Sequence, residues 1–228
     1  MSRPNHVSRA MLAALSAAAL LYGCASSATN EKENALPSAS PLAGMAGRHM
    51  VVFPAQYLST PGSAGSWEVS QAGPSLLPIL DEEIADQLRK RGVNNNWTFA
   101  REIIQSAERN AGLAGDPRQL AAQGIRRSPA GDTPLPEPLA SQIRTLVSLT
   151  SARFALLPIE TRLDSRSAER KAIVRVLLID SRTARILWAG DIEASAPPAA
   201  SAEALSPYAF RILVRDVATR FADMVVAQ

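Results

Sequence analysis

The 228-residue chain has one cysteine, Cys24, and two histidines, His6 and His49. A lone thiol cannot form an intrachain disulfide, a redox pair or a thiolate metal site, so the fold has to be held by its core. Two histidines exclude a histidine-rich metal centre, and a Ser-His-Asp arrangement in the body of the chain would have to use His49. No G-x-S-x-G elbow, glycine-rich phosphate loop or H-E-x-x-H helix is present. The sequence therefore implies no cofactor, no metal and no catalytic residue. Neither sign of charge dominates. The formal net charge is +3, but Arg3 and Arg9 precede Cys24, and without them Lys+Arg falls from 24 to 22 against 21 Asp+Glu. The pI of 9.4 overstates the basicity of the rest of the chain, and charge gives no case for nucleic acid. No repeat of 20 to 50 residues occurs.

What is present is organised around Cys24. After Arg3 and Arg9, Ala10 to Tyr22 is an uncharged apolar run that ends in Leu21-Tyr22-Gly23-Cys24. A positive start, a short apolar stretch and a small residue at a cleavage point make a secretory signal. The run is roughly thirteen residues, short of the ~20 that a membrane-spanning helix needs. Leu21-Tyr22-Gly23-Cys24 resembles the lipobox of bacterial lipoproteins, with Leu21, Tyr22 and Gly23 as the signal-peptidase recognition residues and Cys24 as the lipidated residue. Tyr22 is larger than the usual residue at its place. The resemblance implies acyl chains on Cys24; one chain holds weakly and two or three hold durably. Ala25 and Ser26 follow, not the Asp that retains lipoproteins in the inner membrane, so the implied address is the outer membrane facing the periplasm. An ordinary secretory signal that happens to contain a cysteine, and an uncleaved anchor, are the competing readings.

The expected organisation is a signal peptide over 1–23, an acylated cysteine and disordered tether over 24–48, and one periplasmic domain over 49–228. About 205 residues beyond the signal suffice to bury most of the apolar surface of one domain. The segment from His49 to Phe53 reads as a strand stopped by Pro54. Ser59 to Pro74 reads as a loop around Trp67. Leu77, Leu80, Ile84 and Leu88 line one face of a helix over 75–91, with Gly92 ending it. Asp81, Glu82 and Glu83 fall in the early turns of that helix, where its dipole favours anions. Trp97 to Phe99 is β-prone, and 101–112 and 139–149 read as helices. Pro117 to Ile125 reads as a helical turn or two, and Arg126-Arg127 as a solvated pair.

Arg153 to Leu163 reads as a strand, with Pro158 at a bulge or an edge. Ala172 to Ile179 reads as a central strand, and Arg185 to Ile192 returns with Ile186, Trp188 and Ile192 on one face. Asp180, Asp191 and Glu193 are explained by turn chemistry and a solvated edge. Ser206 caps a last helix with Pro207 at its first position, and Phe210, Leu213, Val214, Val217, Phe221, Met224 and Val225 form its apolar stripe. The fold class is mixed α/β: a four- to five-stranded mixed sheet packed by three to four helices.

This order of elements is similar to a known group. A strand ending Val51-Val52-Phe53-Pro54 precedes a helix ending Leu88-Arg89-Lys90-Arg91-Gly92-Val93. A second helix closes in Asn110-Ala111-Gly112-Leu113, and a Val176-Leu177-Leu178-Ile179-Asp180 to Ala184-Arg185-Ile186-Leu187-Trp188 hairpin leads to a terminal helix. Residues 48 to 226 resemble the periplasmic α/β domain of the amino-terminal part of the TolB translocation protein, the curli-secretion lipoprotein and the lipoprotein activators of penicillin-binding proteins. That group has no catalytic residues to carry over. The resemblance implies a docking module, with a protein partner in the periplasm or a neighbouring copy of itself. The candidate insertions, Ser59 to Pro74 and Leu163 to Arg170, are short and polar, unlike the long amphipathic hairpins of a pore-forming lipoprotein.

Overall fold

The computed structural model describes residues 42–59, 69–93, 95–126, 132–164, 170–196 and 206–227. Within them, seven strands form one mixed sheet: β1 (Met50–Val52), β2 (Tyr57–Ser59), β3 (Trp97–Thr98), β4 (Thr133–Pro134), β5 (Phe154–Asp164), β6 (Arg170–Asp180) and β7 (Arg185–Ala196). The spatial order is β3-β1-β5-β6-β7-β4, with β2 pairing β5 beyond the end of β1. β3, β1, β2 and β5 run parallel, and β5, β6, β7 and β4 alternate antiparallel. The sheet is wider than the four to five strands expected because β2, β3 and β4 are only two or three residues long, too short to leave a period-2 pattern.

Among the described residues four helices cover it: α1 (Val69–Lys90), α2 (Ala100–Arg109), α3 (Leu139–Ser148) and α4 (Pro207–Val226). α1 and α4 share one core with Met50, Val52, Leu156, Val174, Val176 and Ile192. α2 and α3 share the opposite one with Val51, Phe53, Leu157, Leu177 and Ile179. Odd and even residues of each central strand thus face different cores, which is why Ala172 to Ile179 is apolar nearly throughout.

Two bulges set which side chains reach which core. β5 and β6 shift register between Pro158 and Glu160, as the proline suggested. The extra residue turns Leu163 onto the α1/α4 side, opposite Ala172, and keeps it 2% exposed. β7 shifts between its pairings with Leu178 and Ile179, leaving Leu187 unpaired. Ile186 therefore joins the α2/α3 core while Trp188 and Ile192 face α1/α4. The expectation that these three share one face is corrected: a bulge inverts the alternation at the residue it inserts.

α1 begins at Val69, two turns before its expected start, and ends as read. The N–H of Gly92 donates to Arg89 and that of Val93 to Leu88, with Gly92 at φ +81. These are the two bonds of a Schellman termination. In α4 the Ser206 hydroxyl accepts from the Ala209 N–H at 3.1 Å, and the stripe from Phe210 to Val225 closes over the sheet and α1. Between α2 and α3 the described residues form turns, a 3-10 segment, Gln123–Ile125, and the short strand β4. The segment expected as the end of a free tether is already part of the domain from Leu42: residues 42–48 form turns, Leu42 is fully buried, and Met45 and Ala46 pack on the same core.

Candidate interaction surface

Leu21, Tyr22, Gly23, Cys24, Trp67 and Arg127 lie outside the described residues. Within them, a groove of about 520 Å³ lies between α1 and α2, at the β3 edge of the sheet. Its apolar lining comes from Pro78 and Ala85 of α1 and from Phe99, Ala100 and Ile104 at the start of α2. Glu82, Arg89, Arg101, Glu108 and Arg118 stand around it. α2 is placed by Glu102, whose carboxylate accepts from the Phe99 N–H at 2.6 Å and from Arg89 at 2.9 Å. The Arg89 guanidinium also lies 4.5 Å from the centre of the Phe99 ring.

Asp81 sits in the wall of this groove, 8% exposed. Its Oδ1 accepts the N–H of Ala55 at 2.8 Å, and its Oδ2 pairs with Arg118 at 3.1 Å. Ala55 follows β1 past the point where β3 stops pairing, so the carboxylate completes an edge that no strand covers. Burial pushes the Asp81 carboxyl up to about 6, against the Ala55 hydrogen bond and the Arg118 charge, which pull it down. A buried acid raised by desolvation in a cleft marks a candidate functional position.

The neighbouring carboxylates have other work. Glu83, 3% exposed, pairs with Arg211 at 2.9 Å and Arg215 at 3.2 Å, and Glu82 pairs with Arg211 at 2.9 Å. The expected dipole role of the acidic triplet is therefore corrected. Because α1 starts at Val69, Asp81 to Glu83 lie in its fourth turn, beyond the reach of its N-terminal charge. They tie α1 to Ala55, Arg118 and α4 instead. The triplet's i, i+1, i+2 spacing could not reveal this, since the partners are between 26 and 132 residues away.

Arg126 is not simply solvated either: it pairs with the buried Glu160, and its guanidinium lies 4.9 Å from the centre of the Tyr57 ring. Asp180 is held by Arg153 at 2.6 Å and by the N–H of Arg182 at 2.9 Å; the Arg153 hydrogen bond holds its carboxyl below the ordinary range. Asp191 pairs with Arg162 at 2.6 Å and Arg175 at 3.1 Å, and Glu193 with Lys171 at 2.9 Å. The three carboxylates are thus separately engaged. Among the described residues no group of three His, Cys, Asp or Glu side chains could hold a metal, and no helix is long and apolar enough to cross a membrane. His49 is exposed, with Nδ1 3.3 Å from the Ser151 hydroxyl. Among the described residues no carboxylate orients its ring, which a base in a nucleophilic triad requires.

No protein-family model matches the chain, and neither does any curated protein. Solved structures do. The chain is similar to the PelC dodecamer from Paraburkholderia phytofirmans, at 12% identity over 80% of this chain and 91% of that one, TM-score 0.35. It is similar to Lipoprotein GNA1162 from Neisseria meningitidis, at 16% identity over 77% and 99%, TM-score 0.33. It is also similar to the LpoB C-terminal domain from Salmonella enterica, at 13% identity over 65% and 82%, TM-score 0.30.

Proposed function

We propose that this chain is a lipid-anchored protein of the bacterial envelope, held through Cys24 in the outer membrane, whose periplasmic domain is a non-catalytic protein-interaction module in envelope assembly or transport. The observation that carries the reading is Leu21-Tyr22-Gly23-Cys24, closing a short apolar run behind two arginines. A thiol accepts the acyl chains, and a small residue beside it lets the peptide bond enter a protease site. The groove between α1 and α2 supports the second half of the reading. It has an apolar floor with charges of both signs around it, the composition of a surface that excludes water at its centre and is wet at its rim.

The test is the intact mass of protein extracted from membranes, alone and after crosslinking in cells. The expected mass is that of the chain from Cys24 with added acyl chains, and Cys24→Ser abolishes both the cleavage and the addition. Full-length precursor, free in solution with a bare thiol, overturns the anchoring. A crosslinked partner supports the interaction role, crosslinks to itself alone favour an oligomeric ring subunit, and a strictly monomeric, partnerless domain overturns the interaction role.

A further inference from the structure

We infer that the end of the sheet where the chain enters the domain contacts anionic phospholipid headgroups; the inference rests on the anchoring at Cys24 proposed above. The chain reaches β1 through residues 42–48, so this end of the domain is the one joined to the tether. Three strands meet there side by side. The N–H of Arg153 donates to the carbonyl of His49 at 3.4 Å, and the N–H of Ser181 to the carbonyl of Arg153 at 3.1 Å. Residues 48–49, 153 and 181–182 therefore form a row across neighbouring strands spaced about 4.8 Å apart.

Arg48, His49, Ser151, Arg153 and Arg182 in this row are exposed. Asp180, which ends β6 beside the row, is 3% exposed and turned against Arg153, while Asp132 and Asp223 at the same end pair with Arg185 and Arg91. Among the described residues Arg48 and Arg182 have no carboxylate partner, and the exposed surface of the row is cationic. The opposite end of the ribbon differs: there Arg162 and Arg175 share Asp191, Lys171 pairs with Glu193 and Arg126 with Glu160. Arg48 and Arg182, which have no carboxylate partner among the described residues, thus sit at the end of the sheet where the chain enters the domain, beside the paired Arg91, Arg153 and Arg185. Helix C-termini also attract cations, and α1 ends at this pole. Arg91 serves that end by donating to the Gln87 carbonyl at 3.0 Å, whereas Arg48 and Arg182 donate to no helix carbonyl among the described residues.

The test uses the acylated full protein in phosphatidylethanolamine vesicles with or without phosphatidylglycerol, read by amide hydrogen exchange. An arginine at an anionic surface is worth about fivefold in local occupancy. Exchange at 48–50, 151–153 and 181–184 is therefore expected to slow roughly fivefold or more only with phosphatidylglycerol, and the slowing to vanish at high salt. The Arg48→Glu/Arg182→Glu variant, whose two sites are exposed and outside the core, should stay folded and lose the effect. Equal exchange in both vesicles, or slowing that survives in the double variant, overturns the headgroup contact alone. Protein lacking acyl mass overturns both readings.

Discussion

Asp81 sets burial against charge pairing, and the two predict opposite responses to pH. Its carboxyl is 8% exposed and paired with Arg118. If pairing won, its pKa would fall and the fold would weaken in acid. Desolvation wins instead, moving the group from 3.8 to about 6, which at 1.36 kcal/mol per unit is about 3 kcal/mol. Between those values the native state holds a proton that the unfolded chain releases. The stabilisation is therefore complete below about pH 4, falls as pH rises, and is gone above about pH 6. Asp81→Asn keeps an oxygen for the Ala55 N–H and cannot ionise. Urea unfolding followed by tryptophan fluorescence at pH 4, 5, 6 and 7 should show wild type losing about 3 kcal/mol relative to the variant across the window. Asp180, whose carboxyl is depressed by Arg153, works in the other direction, but it is common to both proteins and cancels in the difference. A flat difference, or wild type gaining on Asp81→Asn as pH rises, would show that Arg118 outweighs burial and would refute the reasoning.

Four further outcomes follow from the packing. Glu83→Ala removes the acceptor shared by Arg211 and Arg215 and should cost about 2 kcal/mol, as hydrogen bonds to charged groups do. Arg215→Ala, which leaves Arg211 in place and removes a 55% exposed side chain, should cost under about 1 kcal/mol by the same denaturant curves. Leu42→Ala should cost about 2–5 kcal/mol if the domain begins where its core does; a neutral result would return residues 42–48 to the tether. Gly190→Ala places a methyl 2.0 Å from the Trp188 ring, so its tryptophan emission should shift to the red as the indole leaves β7.

The helices and long strands were legible because burial imposes a period on them. Leu139, Ile143, Leu146 and Val147 are all buried on α3, and the α4 stripe faces the sheet as read. The misreadings occur where the period is broken or absent. A bulge at Leu187 moves Ile186 to the other core, and no residue type announces it. Strands of two residues have no period at all. The start of α1 at Val69 was hidden by Gly73 and Pro74, two poor helix formers. That error misplaced the acidic triplet by two turns and with it the roles of Asp81 and Glu83. The groove was invisible for a related reason: its walls come from α1, α2 and the turn at Arg118, and nothing local records that α1 and α2 stand apart across a sheet edge.

How the two edges of the sheet are finished bears on where a protein partner would bind. On the side away from β6, β7 pairs beyond Ile186 with no strand among the described residues, so its polar edge invites another chain. The bulge at Leu187 twists that edge, and Asp191 and Glu193 set two acids along it. Two copies of β7 paired antiparallel about Ile192 would place Asp191 opposite Glu193, a like-charge contact that destabilises a ladder. At the other side β3 covers only Met50 and Val51, and the Asp81 carboxylate takes the Ala55 N–H that a longer strand would have used. Both edges are closed to strand addition by side chains. That leaves helix surfaces for docking, and of these the α1/α2 groove has an apolar floor together with rim charges such as Arg101 and Glu108 that no other described residue neutralises. Lysine- or carboxylate-directed crosslinks should therefore map to α1 and α2; crosslinks confined to β7 would mean that the acids along that edge do not guard it.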